Sequence, residues 1–288
     1  MLSRRSLVGL IVAAASASPA RAASAQRTLK AIHERTGGRL GVHILDSQSG
    51  RRIGYDDKSR YAMASTFKLS LAAALLWQVD KGAFPLTRAL PIRREDVIHH
   101  SPAVSAKLAA GATDMSIQDL CAAIVVHSDN AAANLLLKGI GGPPALTQFL
   151  RGIGDDVTRL DRLEPDLNGN APGDERDTTT PRAMVDSMLR IFTQDVLTVP
   201  SRAMLIDWMV QARTGADRVR AGLPRGWQTG DKTGTGQNGA VNDLVITYPP
   251  GRRPILMAVY MSESKLDTRA LNAAHAEIGA LVGREKWK

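Results

Sequence analysis

The chain has 288 residues, 44% of them apolar and 23% charged, proportions that exclude a disordered or fibrous protein and allow one large or two modest globular domains. Its formal charge of +9 comes from scattered basic residues with no block of five or six, so no nucleic-acid partner is expected. A single cysteine, Cys121, rules out an intramolecular disulfide.

In chain order, residues 1–22 read as an export signal. Arg4 and Arg5 form a basic start, residues 7–18 carry no charge, and Ala20-Arg21-Ala22 is a small-x-small cleavage pattern. That apolar run is about a dozen residues, where a spanning helix needs roughly 20. The mature chain is therefore expected in the periplasm or outside the cell, without a membrane anchor. The adjacent arginines leave the twin-arginine and general secretory routes both open.

From residue 39 to 46 apolar and polar residues alternate, and 52–55 continues in the same style after a Ser47-Gln48-Ser49-Gly50 turn, which predicts a hairpin. Helical periodicity follows at 66–81, 116–126, 129–138, 143–151, 181–192 and 200–213, with Pro143 and Pro181 at positions that accept proline in a first turn. A second hairpin is predicted at 241–248 and 254–261, joined by Pro249-Pro250-Gly251, and a last helix at 267–282. Strands at both ends with helices between them predict an α/β (α+β) fold. Its antiparallel sheet, flanked by helices, is built from both chain ends, and an all-α domain is inserted. The expected division is 23–62 with 214–288 for the sheet domain and 63–213 for the helical one, with the site in the groove between them.

Four short stretches carry chemistry. Ser65-Thr66-Phe67-Lys68 opens a helix whose continuation to Val79 is apolar except at Ser70 and Gln78, hence buried. Residues three apart share a helix face, so Lys68 can reach the Ser65 hydroxyl, and burial disfavours the ammonium that would prevent it from acting as a base. A serine cap followed by an exposed lysine would look the same, and that spacing arises about once by chance in such a chain. Ser128-Asp129-Asn130 could equally be helix capping, Lys232-Thr233-Gly234 a turn into the strand at Val241, and Glu164 with Asn168 part of a solvated loop rich in proline and glycine. What decides against those plain readings is that all four occur together, in order.

The set resembles the class A β-lactamases, within the superfamily of penicillin-binding proteins and serine β-lactamases, over essentially the whole chain after the leader. The resemblance implies that Ser65 is acylated by the lactam, that Lys68 or Glu164 takes its proton, and that Ser128 relays a proton to the departing nitrogen with Lys232 beside it. It implies an oxyanion hole from the N–H groups of Ser65 and Thr235. Asn130 would bind the substrate's side-chain amide, while Thr233, Gly234, Thr235 and Arg218 would lie near its carboxylate. Glu164 and Asn168 would hold the deacylating water, which separates a hydrolase from a D-Ala-D-Ala peptidase or a non-catalytic β-lactam-binding protein. Arg162 and Asp177 would close an Ω-loop over 162–177, with a cis bond before Pro165.

Two departures bear on substrate choice. His100 stands where many members have an aromatic guard, in a segment somewhat longer than usual. Ala64 and Gly236 stand where some carbapenem-hydrolysing members have a disulfide. Two other matches fail on context. Gly234-Thr235-Gly236-Gln237-Asn238-Gly239 has the form of a dinucleotide fingerprint but leads into a strand, and the six histidines lack metal-ligand spacing. No cofactor, no metal and a monomeric state are expected, with a small β-lactam as the only partner.

Overall fold

A computed structural model describes residues 19–287, with side chains from residue 23 onward. The expected leader lies outside the described residues except for its last four positions, whose backbone opens the first helix. The elements run α1 (Pro19–Thr36), β1 (Arg39–Asp46), β2 (Arg52–Tyr55), β3 (Tyr61–Ala62), α2 (Phe67–Asp80), β4 (Ala89–Pro91) and α3 (Pro102–Ala109). Then come β5 (Asp114–Ser116), α4 (Ile117–Val126), α5 (Asn130–Ile140), α6 (Pro143–Gly152), β6 (Thr178–Thr179), α7 (Pro181–Thr193) and α8 (Val199–Val210). The chain closes with α9 (Val219–Gly222), β7 (Gln228–Thr235), β8 (Val241–Tyr248), β9 (Ile255–Ser262) and α10 (Thr268–Arg284).

The main sheet has the order β2-β1-β9-β8-β7, every neighbour antiparallel. β1, from the start of the chain, pairs along its full length with β9, from Arg39 opposite Ser262 to Asp46 opposite Ile255. Side chains alternate across a strand, so β9 serves two cores at once. Ile255, Met257, Val259 and Met261 meet α1 and α10 through Leu29, Ile32, Leu271 and Ile278. Leu256, Ala258 and Tyr260 join the larger core under α2, α4 and α5. Burial on both faces is why β9 reads as an unbroken apolar run.

At the middle of the helical core lies α2, whose first ten residues are all buried. α4 and α5 pack on it, with Leu120, Ile124, Leu136 and Leu137 fully enclosed. The helices start where the sequence caps them: Ser116, Asp129, Thr180, Thr198 and Asp267 each accept a backbone N–H from the first turn that follows.

The structure departs from the sequence reading at several elements. The segment around Lys232, to which the sequence reading assigns no strand, is an eight-residue edge strand, β7. Gln-Thr-Gly-Asp-Lys-Thr-Gly-Thr contains no apolar side chain, and only its pairing with β8 makes it a strand. Helix α8 spans Val199–Val210 rather than 200–213, and α1 and α3 were not anticipated. α3 is a short alanine-containing helix, Pro102–Ala109, with Val104 its only buried side chain, too little for a periodic signal. The fingerprint-like glycines end β7 and turn into β8 without opening a helix.

Candidate active site

The N-terminal ends of α2 and α5, the loop before β6 and the edge strand β7 converge on one cleft. Ser65 sits in a 3₁₀ turn (Ala64–Thr66) that runs into α2, with Ala64 in the left-handed region at φ 44°. One turn on, Lys68 is wholly buried and its Nζ lies 3.0 Å from Ser65 Oγ. The same Nζ meets Ser128 O at 2.8 Å, Asn130 Oδ1 at 2.5 Å and Glu164 Oε1 at 3.0 Å. An ammonium has three N–H groups and faces four oxygens within 3.0 Å here, whereas a neutral amine has a lone pair to accept the serine proton. Burial lowers the Lys68 pKa, and the Glu164 charge opposes that.

Glu164 reaches this lysine from a loop fixed at both ends. At the neck, Asp177 Oδ1 accepts the N–H groups of Asp161 and Arg162 at 2.7 and 2.9 Å, and Oδ2 accepts Arg162 Nε at 2.5 Å. Asp161 returns the contact by accepting Asp177 N at 3.0 Å. Two residues inside the neck, Glu164 has both its N–H and its C=O bonded by the Asn134 side chain on α5, each at 2.9 Å. Glu164–Pro165 is cis. The carboxylate is left with one oxygen 3.5 Å from Ser65 Oγ and the other held by Asn168 Nδ2 at 2.5 Å.

Ser128 sits between two lysines. Its Oγ accepts from Lys232 Nζ at 3.0 Å and stands 3.5 Å from Lys68 Nζ. Its backbone is left-handed, φ 58°, a strained conformation for serine that neighbouring contacts hold in place. Asp129 provides them: one oxygen caps α5 at Ala132 N, 2.9 Å, and the other takes Ala103 N and Val104 N of α3 at 2.8 and 3.1 Å. Lys232 is wholly buried, and burial together with the nearby Lys68 charge pushes its pKa well down.

Strand β7 comes this close because Gly234 has no side chain. A Cβ there would lie 2.7 Å from Met63 O and 3.2 Å from Ser65 N, so Gly234 sits behind the nucleophile rather than in the cleft. Arg218 is buried, not a surface residue; it donates to Thr235 Oγ1 at 2.6 Å, Gly234 O at 2.9 Å, Asn242 O at 2.6 Å and Asn272 Oδ1 at 3.0 Å. His100, at φ 59°, has its ring nitrogen 2.9 Å from His127 O, and its own carbonyl accepts Asn130 N at 3.0 Å. The neighbouring His99 carbonyl accepts Asn130 Nδ2 at 2.9 Å, so this pair orients Asn130.

The cleft is about 700 Å³, with Ser65, Ser128, Asn130, Asn168, Thr233 and Thr235 in its wall and His99, His100 and Gln237 at its margins. Another concavity, about 480 Å³ between α7 and the turn after α6, contains none of the motif residues. Ala64 and Gly236 are adjacent, a Cβ on the glycine standing 3.4 Å from that of Ala64. Sequence reasoning did not find Asn134, although it lies one helical turn beyond Asn130. Nor did it find Thr214, whose hydroxyl meets that of Thr233 at 2.6 Å.

A buried lysine against a serine at a helix entrance, a second serine between two amines, and a carboxylate held at water-bridging range define a serine acyl-transfer enzyme. The model of the β-lactamase enzyme family matches residues 24–285. Beta-lactamase L2 of Stenotrophomonas maltophilia is 42% identical over 272 residues, 94% of this chain and 89% of the relative. The carbapenem-hydrolyzing β-lactamase KPC of Klebsiella oxytoca is 41% identical, covering 85% of this chain and 83% of its own. Among solved structures, an ancestral class A β-lactamase (GNCA) superposes with TM-score 0.87 at 49% identity, over 90% of this chain and 98% of that one. A β-lactamase from Xanthomonas campestris gives 0.88 at 46%, over 91% and 97%. This chain belongs to the β-lactamase family, class A.

Proposed function

We propose that the protein hydrolyses the β-lactam amide of penicillin- or cephalosporin-type antibiotics through an acyl-enzyme on Ser65, released by water that Glu164 activates. One observation carries this reading: Glu164 reaches both Lys68 and Ser65, while Asn168 pins its other oxygen. In the first half-reaction the Ser65 oxygen attacks the lactam carbonyl and its proton passes to Lys68 or Glu164. The N–H groups of Ser65 and Thr235 take the oxyanion. As the C–N bond breaks, Ser128 gives its proton to the nitrogen, and the flanking amines resupply it. In the second half-reaction Glu164 takes a proton from water attacking the ester, and the Ser65 oxygen leaves with a proton.

The substrate carboxylate would lie against Thr233 and Thr235, under the field of Lys232 and Arg218, with Asn130 on the side-chain amide and His100 at the entrance. Arg162 and Asp177 support the loop. Export to the periplasm fits residues 1–22, and no helix of the described residues is long and apolar enough to cross a membrane. We take the mature protein to be a monomer that needs no cofactor. Its sheet domain would be 23–62 with 214–288, and its helical domain 63–213.

The test is incubation with a chromogenic cephalosporin. Many turnovers per molecule are expected. A single stoichiometric burst, with a long-lived adduct visible by mass spectrometry, would replace this reading with a penicillin-binding peptidase.

A further inference from the structure

Away from the cleft, β1, β2 and α7 meet over a buried imidazole that the reaction does not use. His43 on β1 is fully enclosed. Its Nδ1 lies 2.6 Å from Asp57 Oδ2, and its Nε2 lies 3.0 Å from Nη1 of Arg52 on β2. A guanidinium has only donors, so Nε2 must accept, and the one ring proton is on Nδ1, donated to Asp57. The contacts therefore fix both the tautomer and the neutral state.

Both partners of the ring are also partners of α7. Arg52 Nη1 donates to Asp186 Oδ1 at 2.7 Å. Asp57 Oδ2 accepts Arg182 Nε and Nη2 at 3.2 and 3.0 Å, and its carbonyl accepts Arg182 N at 3.0 Å. On the remaining side the ring's strand faces β9 at Ala258, which has no charge to offer. The groups around His43 are thus Asp57, Arg52, Arg182 and Asp186, and the only added proton it can take would point an N–H at the Arg52 guanidinium.

We propose that His43 is an acid-sensitive fastener between the sheet and α7: protonation at Nε2 expels Arg52, breaks its bond to Asp186 and loosens α7, leaving the Arg182 contacts with Asp57 as its remaining polar tie to the sheet side. The balance is one proton taken from solvent and two hydrogen bonds lost. Burial lowers the His43 pKa, with Asp57 opposing and Arg52 and Arg182 assisting. The sign follows. An opened α7 gives back an ordinary imidazole, so opening takes up a proton and becomes easier as pH falls below that ordinary value.

The experiment is hydrogen exchange on the intact protein, corrected for intrinsic rates, with ¹⁵N signals of the His43 ring followed over the same pH series. Near neutrality the ring is expected as the Nδ1–H tautomer. Below the ordinary imidazole pKa, amides of 181–193 should lose protection about tenfold per pH unit, while those of α2 should not. In Arg52→Met, α7 should be less protected at neutral pH, its slope with pH should flatten, and the ring should titrate higher than in the parent. An Nε2–H or cationic ring at neutral pH would overturn the proposal. So would α7 protection that ignores the His43 titration, α2 opening in step with α7, or an unchanged slope in Arg52→Met.

Discussion

The two walls of the cleft each contain a fully buried lysine, and they differ in what balances it. On the helical wall, Lys68 faces the Glu164 carboxylate at 3.0 Å, so the wall can pass a proton back and forth. On the strand wall, Lys232 faces Ser128 Oγ and the Thr233 carbonyl, with Arg218 beneath Thr235. Among the described residues no carboxylate pairs directly with Lys232, which leaves its Nζ free to face an anion in the cleft. Two lysines of equal burial are thereby set to different tasks by their neighbours alone.

The contrast is tested most severely at Glu164. Glu164→Gln should slow deacylation by about 10²–10⁴-fold and accumulate one acyl group per chain by mass spectrometry. Lys232→Met should also lose turnover but accumulate no acyl group, because it acts before the ester forms. If both variants trap the ester equally, the division between walls is wrong.

Next in size is Asp177→Asn. Asp177 is fully buried and takes three donors at the loop neck, so its loss should cost about 3 kcal/mol in a denaturant melt. Deacylation should weaken more than acylation, since the neck positions Glu164 and leaves Ser65 untouched.

Stability itself should separate the lysines. Burial holds Lys232 below its ordinary pKa, so the unfolded chain binds the extra proton, and stability falls as pH drops from the ordinary lysine value toward the folded one. Lys232→Met removes that penalty and should be more stable than the parent at neutral pH, a gain that shrinks in alkali. Lys68→Met should gain less or lose, because Glu164 would be left buried without its cation. Melting curves at neutral and alkaline pH would show whether the order is right. The smallest effect is expected from Arg218→Gln: about a tenfold rise in KM with kcat little changed, measured under steady state.

These walls were unequally legible in the sequence. Ser65, Lys68, Ser128 and Lys232 stand out because their short motifs occur together and in order, and the role of Glu164 follows from the family resemblance that this order carries. α2, which presents the first pair, reads as an almost unbroken apolar run, whereas Glu164 stands on a loop with no such pattern. β7 carries Lys232 on a wholly polar segment, and what makes it a strand is β8, a non-local cause that no local pattern records. Asn134 escaped for another reason: its role is to bond a peptide group thirty positions away in the chain, and asparagine on a helix has no signature for that. The His43 cluster likewise depends on three elements meeting, although the β1 and β2 hairpin that bears half of it was read in full.

The clasp that Asn134 makes on Glu164 limits how this enzyme can be altered. Its carboxamide imitates a neighbouring strand, bonding the peptide group in both directions, and so anchors the main chain where the base is attached. Only the side chain beyond Cα can adjust. An aspartate in that position would retreat by one methylene with no slack in the loop to follow it, so the length of the acid, as well as its charge, is set by a residue that never touches the antibiotic.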